Sequence, residues 1–335
     1  MHQSILDYKL LIKDLSTKLS FEYFELDLII SPGGFNIFYA LGIIDLLKEL
    51  ENQKKLKVHR IMGASAGAFA GLFYFSNLSS DIFKNHYNDL KSHFDKYKNV
   101  NLLFDYIDKY ITDKNILNQI NNKLHICYHK SSQESKFPTY EINSMFENLD
   151  ELKTILKGSS TVPFFTTSTP LYKKNDVKYF DGMYTTTFEI HEPNRKTLHI
   201  NLHSIFDLFS AIVPYKSSCD SQYFEGISDL YHFLQNQKDQ NDNHHCLKLT
   251  NNKTDPYPTL TFSAILYRFI LYSILVIYIN FIEILYVFIE KMKNLIKKNK
   301  IETKEFEKVY RHYYETNENM ILQLCMNFFN GLLLS

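Results

Sequence analysis

Glycine accounts for only 10 of the 335 residues, yet Gly33, Gly34, Gly42, Gly63, Gly67 and Gly71 all fall between positions 33 and 71. In a chain so poor in glycine, this placement marks where the backbone turns tightly or approaches another segment closely. The residues around these glycines have a regular order. A short apolar run at 26–30 ends in Ser31-Pro32-Gly33-Gly34, and helical periodicity follows from 37 to 50. A second apolar run at 58–62 ends in Gly63, and a second helical stretch covers 66–76. Strand, glycine turn, helix, repeated once, is the alternation of a parallel sheet with crossover helices. Further strands are expected at 124–128 and 198–202, and helices at 4–20, 149–157 and 223–235, with polar helical sequence across 78–122.

The second glycine turn carries a nucleophile pattern, Gly63-Ala64-Ser65-Ala66-Gly67. Small residues on both sides of Ser65 let the chain swing from strand to helix while its hydroxyl stays exposed at the turn. The amides of the following helix point at the same place, where negative charge develops in acyl transfer. Gly33 and Gly34 form a first turn whose amides no side chain would block, as an oxyanion hole requires. A dinucleotide or phosphate loop is disfavoured, because there is no GxGxxG with an acidic residue some 20 positions on and no Lys-Ser/Thr pair. Asp181-Gly182, after Tyr179-Phe180, places a carboxylate at the end of an expected strand. Alone, such a dipeptide is ordinarily a turn.

In this order, glycine turn, GxSxG elbow and Asp-Gly resemble the patatin-like phospholipase family. The resemblance covers roughly residues 25–237. It includes Tyr39 and Gly42, the stretch Gly63 to Gly71, and the run Gly158-Ser159-Ser160-Thr161-Val162-Pro163-Phe164-Phe165. Gln222 to Asp229, with Phe233-Leu234, resembles the closing helix of the adipose triglyceride lipase and adiponutrin branch. The resemblance implies a three-layer α/β/α fold with a mainly parallel central sheet. It also implies hydrolysis of fatty-acyl esters of phospholipid or neutral lipid by a dyad of Ser65 and Asp181, without an essential histidine or a cofactor. Gly33 and Gly34 would then form the oxyanion hole, with Gly63, Gly67 and Gly182 supporting the two motifs. The sequence departs from the family at Pro32-Gly33-Gly34-Phe35-Asn36-Ile37, aligned with Gly-Gly-Gly-x-Arg/Lys-Gly, and at Met183 after Asp181-Gly182. Two other readings remain: a catalytically weak or silent lipid-binding or membrane-anchored interaction protein of the same fold, and an α/β-hydrolase triad of Ser65, Asp181 and one of His191, His199 or His203.

Lys plus Arg and Asp plus Glu both number 37, so no net charge attracts a nucleic acid. The four cysteines are scattered with no CxxC pair, the usage of reduced thiols in a cytosolic setting. His244-His245-Cys246 has no second ligand cluster, so no metal site is expected. No secretory leader is evident before residue 27. Residues 262–289 carry only Arg268 and Glu283 as formal charges, and Lys291, Lys293, Lys297, Lys298 and Lys300 follow. This is the composition of a membrane-associated segment anchored by lysines. The expected organisation is therefore an amphipathic helix at 1–24, a catalytic domain at 25–237 and a polar linker at 238–258. A membrane-associated segment at 259–300 and a C-terminal helix at 301–335 complete it. The catalytic domain is expected on the cytosolic side of a membrane or lipid-droplet surface.

Overall fold

The computed structural model describes residues 2–76, 78, 80–97, 100–131, 139–162, 166, 171–182, 185, 188, 194–202, 218–236 and 247–251. Eight strands form one sheet. In chain order they are β1 (Phe24–Ile30), β2 (Leu56–Gly63), β3 (Leu124–Ser131), β4 (Thr139–Asn143), β5 (Tyr172–Lys174), β6 (Val177–Asp181), β7 (Arg195–Ile200) and β8 (Leu247–Asn251). The helices are α1 (His2–Lys18), α2 (Ile37–Asn52), α3 (Ala66–Phe75), α4 (Ser80–Tyr97), α5 (Leu102–Tyr110), α6 (Ile116–Ile120), α7 (Leu149–Ser159) and α8 (Cys219–Gln235).

The strand order is β5-β6-β3-β2-β1-β7-β8, with β4 also pairing β3. The central strands β3, β2, β1 and β7 run parallel, whereas β4, β5, β6 and β8 add antiparallel edges. The path from β1 through β2 to β3 steps across the sheet in one direction, so right-handed crossovers put α2 and α3 on the same face.

Side-chain alternation sorts the two faces. Leu26, Leu28 and Ile30 of β1, Ile61 of β2, Leu124 and Ile126 of β3, and Leu198 and Ile200 of β7 enter one large core, which also takes buried side chains from each of the described helices. Their neighbours Ile29, Met62 and Cys127 form a smaller cluster on the other face with Ala64 and Phe188. Asp27 is 1% exposed and shares that second face. A buried carboxylate there is tolerated because Arg60 grips it with two nitrogens and Arg195 Nη1 lies 3.6 Å from Oδ1. Phe188 covers the Arg60 guanidinium at 4.3 Å. A mainly parallel central sheet flanked by helices is thus the observed architecture. The described helices pack into the one large core on a single face of the sheet, and a second helical layer is not seen among the described residues.

The stretch 238–258, expected as a polar linker, contributes β8 to this sheet. The reason is local: Leu247 is buried opposite Ile200 and Leu249 packs on the main core, while Lys248 alternates away. Among the described residues no helix is long and apolar enough to cross a membrane. The segments 259–300 and 301–335, and His244-His245-Cys246, lie outside them.

Candidate active site

Ser65 sits between the end of β2 and the start of α3, with φ 52° and ψ −123°. A non-glycine residue in this region costs about 1–3 kcal/mol and persists only where its surroundings enforce it. Here the surroundings are explicit. A Cβ on Gly63 would overlap the Gly67 carbonyl, and one on Gly67 would overlap the Ile30 carbonyl at the end of β1. Only glycine at both positions lets β2, the first turn of α3 and β1 meet this closely. Ala64 is fully buried. The Ser65 amide donates to Ser159 Oγ at 3.0 Å, while the Ser65 side chain makes no capping bond to α3. Its hydroxyl therefore stands at the positive end of a helix, uncommitted among the described residues.

The first glycine turn lies beside the elbow. Gly34 has φ 50°, a conformation natural to glycine, and opens a single 3-10 turn to Asn36 that leads into α2. A Cβ on Gly33 would collide with the Leu202 side chain. Among the described residues nothing accepts from the amides of Gly33 or Gly34. The departures from the family pattern now have physical explanations. Ile37, where the pattern has glycine, adopts φ −55° and ψ −33°, which any residue reaches. Asn36 replaces the basic residue, and its Nδ2 donates to the Leu202 carbonyl at 2.7 Å, tying the loop to the end of β7. Ser31 adds a second tie, its Oγ accepting from the Leu202 amide at 2.8 Å. Phe35 is buried against Tyr87 and Phe94 of α4, and its carbonyl accepts from Tyr87 Oη at 3.1 Å.

Asp181 ends β6 and is 7% exposed. Its amide donates to the Thr161 carbonyl at 2.9 Å, and its carbonyl is 2.8 Å from His129 Nδ1. The His129 ring stacks on Phe180 at 5.0 Å, and burial lowers its pKa. Gly182 carries the next step to the elbow: a Cβ there would lie 2.8 Å from the Ala64 Cβ and 2.5 Å from the Cys127 carbonyl oxygen. The Asp-Gly turn therefore packs on the residue immediately before Ser65. No hydrogen bond joins Ser65 Oγ to the Asp181 carboxylate in this structure. Such bonds are commonly long until substrate closes the site.

Of the histidines considered for a triad, His191 and His203 lie outside the described residues, as does Met183. His199 is on β7, with β1 between it and the strand that carries the elbow. Burial, with the nearby Lys248, pushes its pKa down to about 4, so it is neutral at pH 7. No group of His, Cys, Asp or Glu among the described residues is arranged to hold a metal ion. The supporting residues Ser159, Thr161 and His129 were not singled out by the sequence. The first two lie in the run Gly158 to Phe165 that carries part of the resemblance.

The sequence model of the patatin-like phospholipase family matches residues 28–192, from within β1 to beyond Asp181. The match ends before Gln222 to Leu234, on which the closer resemblance to the adipose triglyceride lipase and adiponutrin branch rests. No individual curated protein matches the chain.

Proposed function

We propose that the chain, which carries a patatin-like phospholipase domain at residues 28–192, the domain of a family of lipid acyl hydrolases, cleaves fatty-acyl esters through Ser65 and Asp181. The observation that carries this reading is the enforced turn at Ser65. Among the described residues its hydroxyl is uncommitted at the N-terminus of a helix, beside two glycine amides and an Asp-Gly turn packed on Ala64.

Ser65 Oγ attacks the ester carbonyl as its proton passes to the Asp181 carboxylate. The carbonyl oxygen becomes an oxyanion held by the amides of Gly33 and Gly34. Collapse breaks the bond to the alcohol oxygen, which takes the proton from Asp181 and leaves as a lysolipid or a glycerol-bearing alcohol. Water then attacks the acyl-enzyme, gives its proton to Asp181 and releases the fatty acid. The proton returns to Ser65 Oγ, and no cofactor enters the cycle. The loop change at Asn36 removes a cation but leaves both amides in place, which fits activity better than silence. Purified protein should release fatty acid from phospholipid vesicles or triacylglycerol emulsions. Release no faster than in buffer from both substrates would overturn this reading.

Residues 259–300 are proposed to hold the enzyme on a membrane or lipid-droplet surface, with the catalytic domain on the cytosolic side. The support is the uncharged sequence 269–282 and the lysines that follow it. The full chain should float with anionic liposomes and a chain lacking 259–300 should not. Equal flotation of the two would contradict the proposal.

A further inference from the structure

The residues proposed for chemistry come from distant parts of the chain, and one short turn holds both by their backbones. Ser159, the last residue of α7, is fully buried. Its Oγ accepts from the Ser65 amide at 3.0 Å and donates to the Cys127 carbonyl at 2.6 Å. With its one proton committed to Cys127, the hydroxyl presents a lone pair to Ser65, and each bond polarises the other. Two residues on, the Thr161 carbonyl accepts from the Asp181 amide at 2.9 Å. The turn itself is tight: the Thr161 amide donates to the Gly158 carbonyl at 3.0 Å. Gly158 lets it lie close against β6, since a Cβ there would be 2.8 Å from the Tyr179 Cβ. The Cys127 carbonyl that Ser159 engages also faces Gly182, the residue after Asp181.

We infer that Ser159 is a positioning residue: its buried hydroxyl relays the Ser65 amide to Cys127 and so fixes the elbow relative to Asp181. The inference rests on the reading of Ser65 and Asp181 as nucleophile and base. Its physical basis is the Ser65 backbone, held at φ 52° and ψ −123°. Such a conformation relaxes when a bond that enforces it is removed. Relaxation would move Oγ while leaving the lipid-contacting surface untouched. Misplacement on the order of 1 Å costs about 10²-fold in rate. The effect should therefore fall on kcat and spare KM.

The experiment compares Ser159→Ala with Ser160→Ala in fatty-acid release, each normalised to folded protein by its near-UV spectrum. Ser160 is the matched control, being adjacent and buried with a hydroxyl that has no hydrogen-bond partner among the described residues. The expected result is a kcat lower by about 10- to 100-fold for Ser159→Ala with KM within about twofold, and wild-type kinetics for Ser160→Ala. Covalent labelling by a fluorophosphonate should slow in parallel in Ser159→Ala. If Ser159→Ala does not fold, Ser159→Cys, which keeps the volume but only a weak donor, is read by the same criteria. A kcat loss of less than tenfold, a loss confined to KM, or an equal loss in Ser160→Ala would overturn the inference. Ser65→Ala separates the two levels. If that variant still hydrolyses lipid, the dyad reading itself fails; if it is silent while Ser159→Ala is fully active, only the positioning role fails.

Discussion

Ser65→Ala is expected to lower the rate of fatty-acid release by about 10⁴-fold or more, the scale of losing a covalent nucleophile. Among the described residues no neighbouring hydroxyl can take over. The flanking residues are Ala64 and Ala66, the Ser159 hydroxyl is committed to two hydrogen bonds, and Ser160 is 2% exposed. The same change should leave the fold intact. The Ser65 side chain makes no capping bond, and the strained backbone is held by its amide and by Gly63 and Gly67, which the substitution preserves. Unchanged thermal unfolding together with lost hydrolysis is therefore the expected pair of results. Hydrolysis persisting at the wild-type rate would remove Ser65 from the mechanism.

Asp181→Asn is the second large effect, expected at about 10²–10⁴-fold in kcat, the usual contribution of a positioned general base. The substitution is nearly isosteric. Its amide can still donate to Thr161 and its carbonyl can still meet His129, because both contacts belong to the main chain. What is lost is the capacity to accept the Ser65 proton. Since Asp181 is argued to act on the reacting proton and not on the bound lipid, KM should change little. Kinetics of His199→Gln provide the contrast, with wild-type kcat expected. A silent His199→Gln beside an active Asp181→Asn would favour a histidine triad over the dyad.

The parts of the fold legible in the sequence are those with a local cause. The two glycine turns were visible because Gly33, Gly34, Gly63 and Gly67 stand in a chain with little glycine elsewhere, and each is required where no Cβ fits or φ is positive. β1 is equally plain from its apolar end Leu28-Ile29-Ile30, whereas β2, with Lys57, His59 and Arg60 inside it, is marked only by Leu56, Val58, Ile61 and Met62 and by the Gly63 that ends it. The antiparallel edges were harder. β5 has three residues, and β8 lies in a polar stretch where only Leu247 and Leu249 mark the buried side. In the site, Ser65 and Asp181 were nameable from their motifs, but the contacts that hold them were not. Ser159 bonds an amide 94 positions away, and His129 meets a carbonyl 52 positions away. A small residue in a turn and a histidine in a strand carry no local sign of such partners. The unusual loop was misleading in the opposite way: Asn36 and Ile37 looked like losses, whereas one makes a loop tie and the other sits in ordinary helical geometry.

The central claim is that Ser65 becomes covalently acylated. It is tested most directly by incubating the full chain with a long-chain fluorophosphonate, digesting it and locating the added mass by tandem mass spectrometry. The account predicts a single stoichiometric adduct on Ser65, absent from Ser65→Ala and formed far more slowly in Asp181→Asn. An adduct on a different residue, or no adduct in a protein that releases fatty acid, would contradict it.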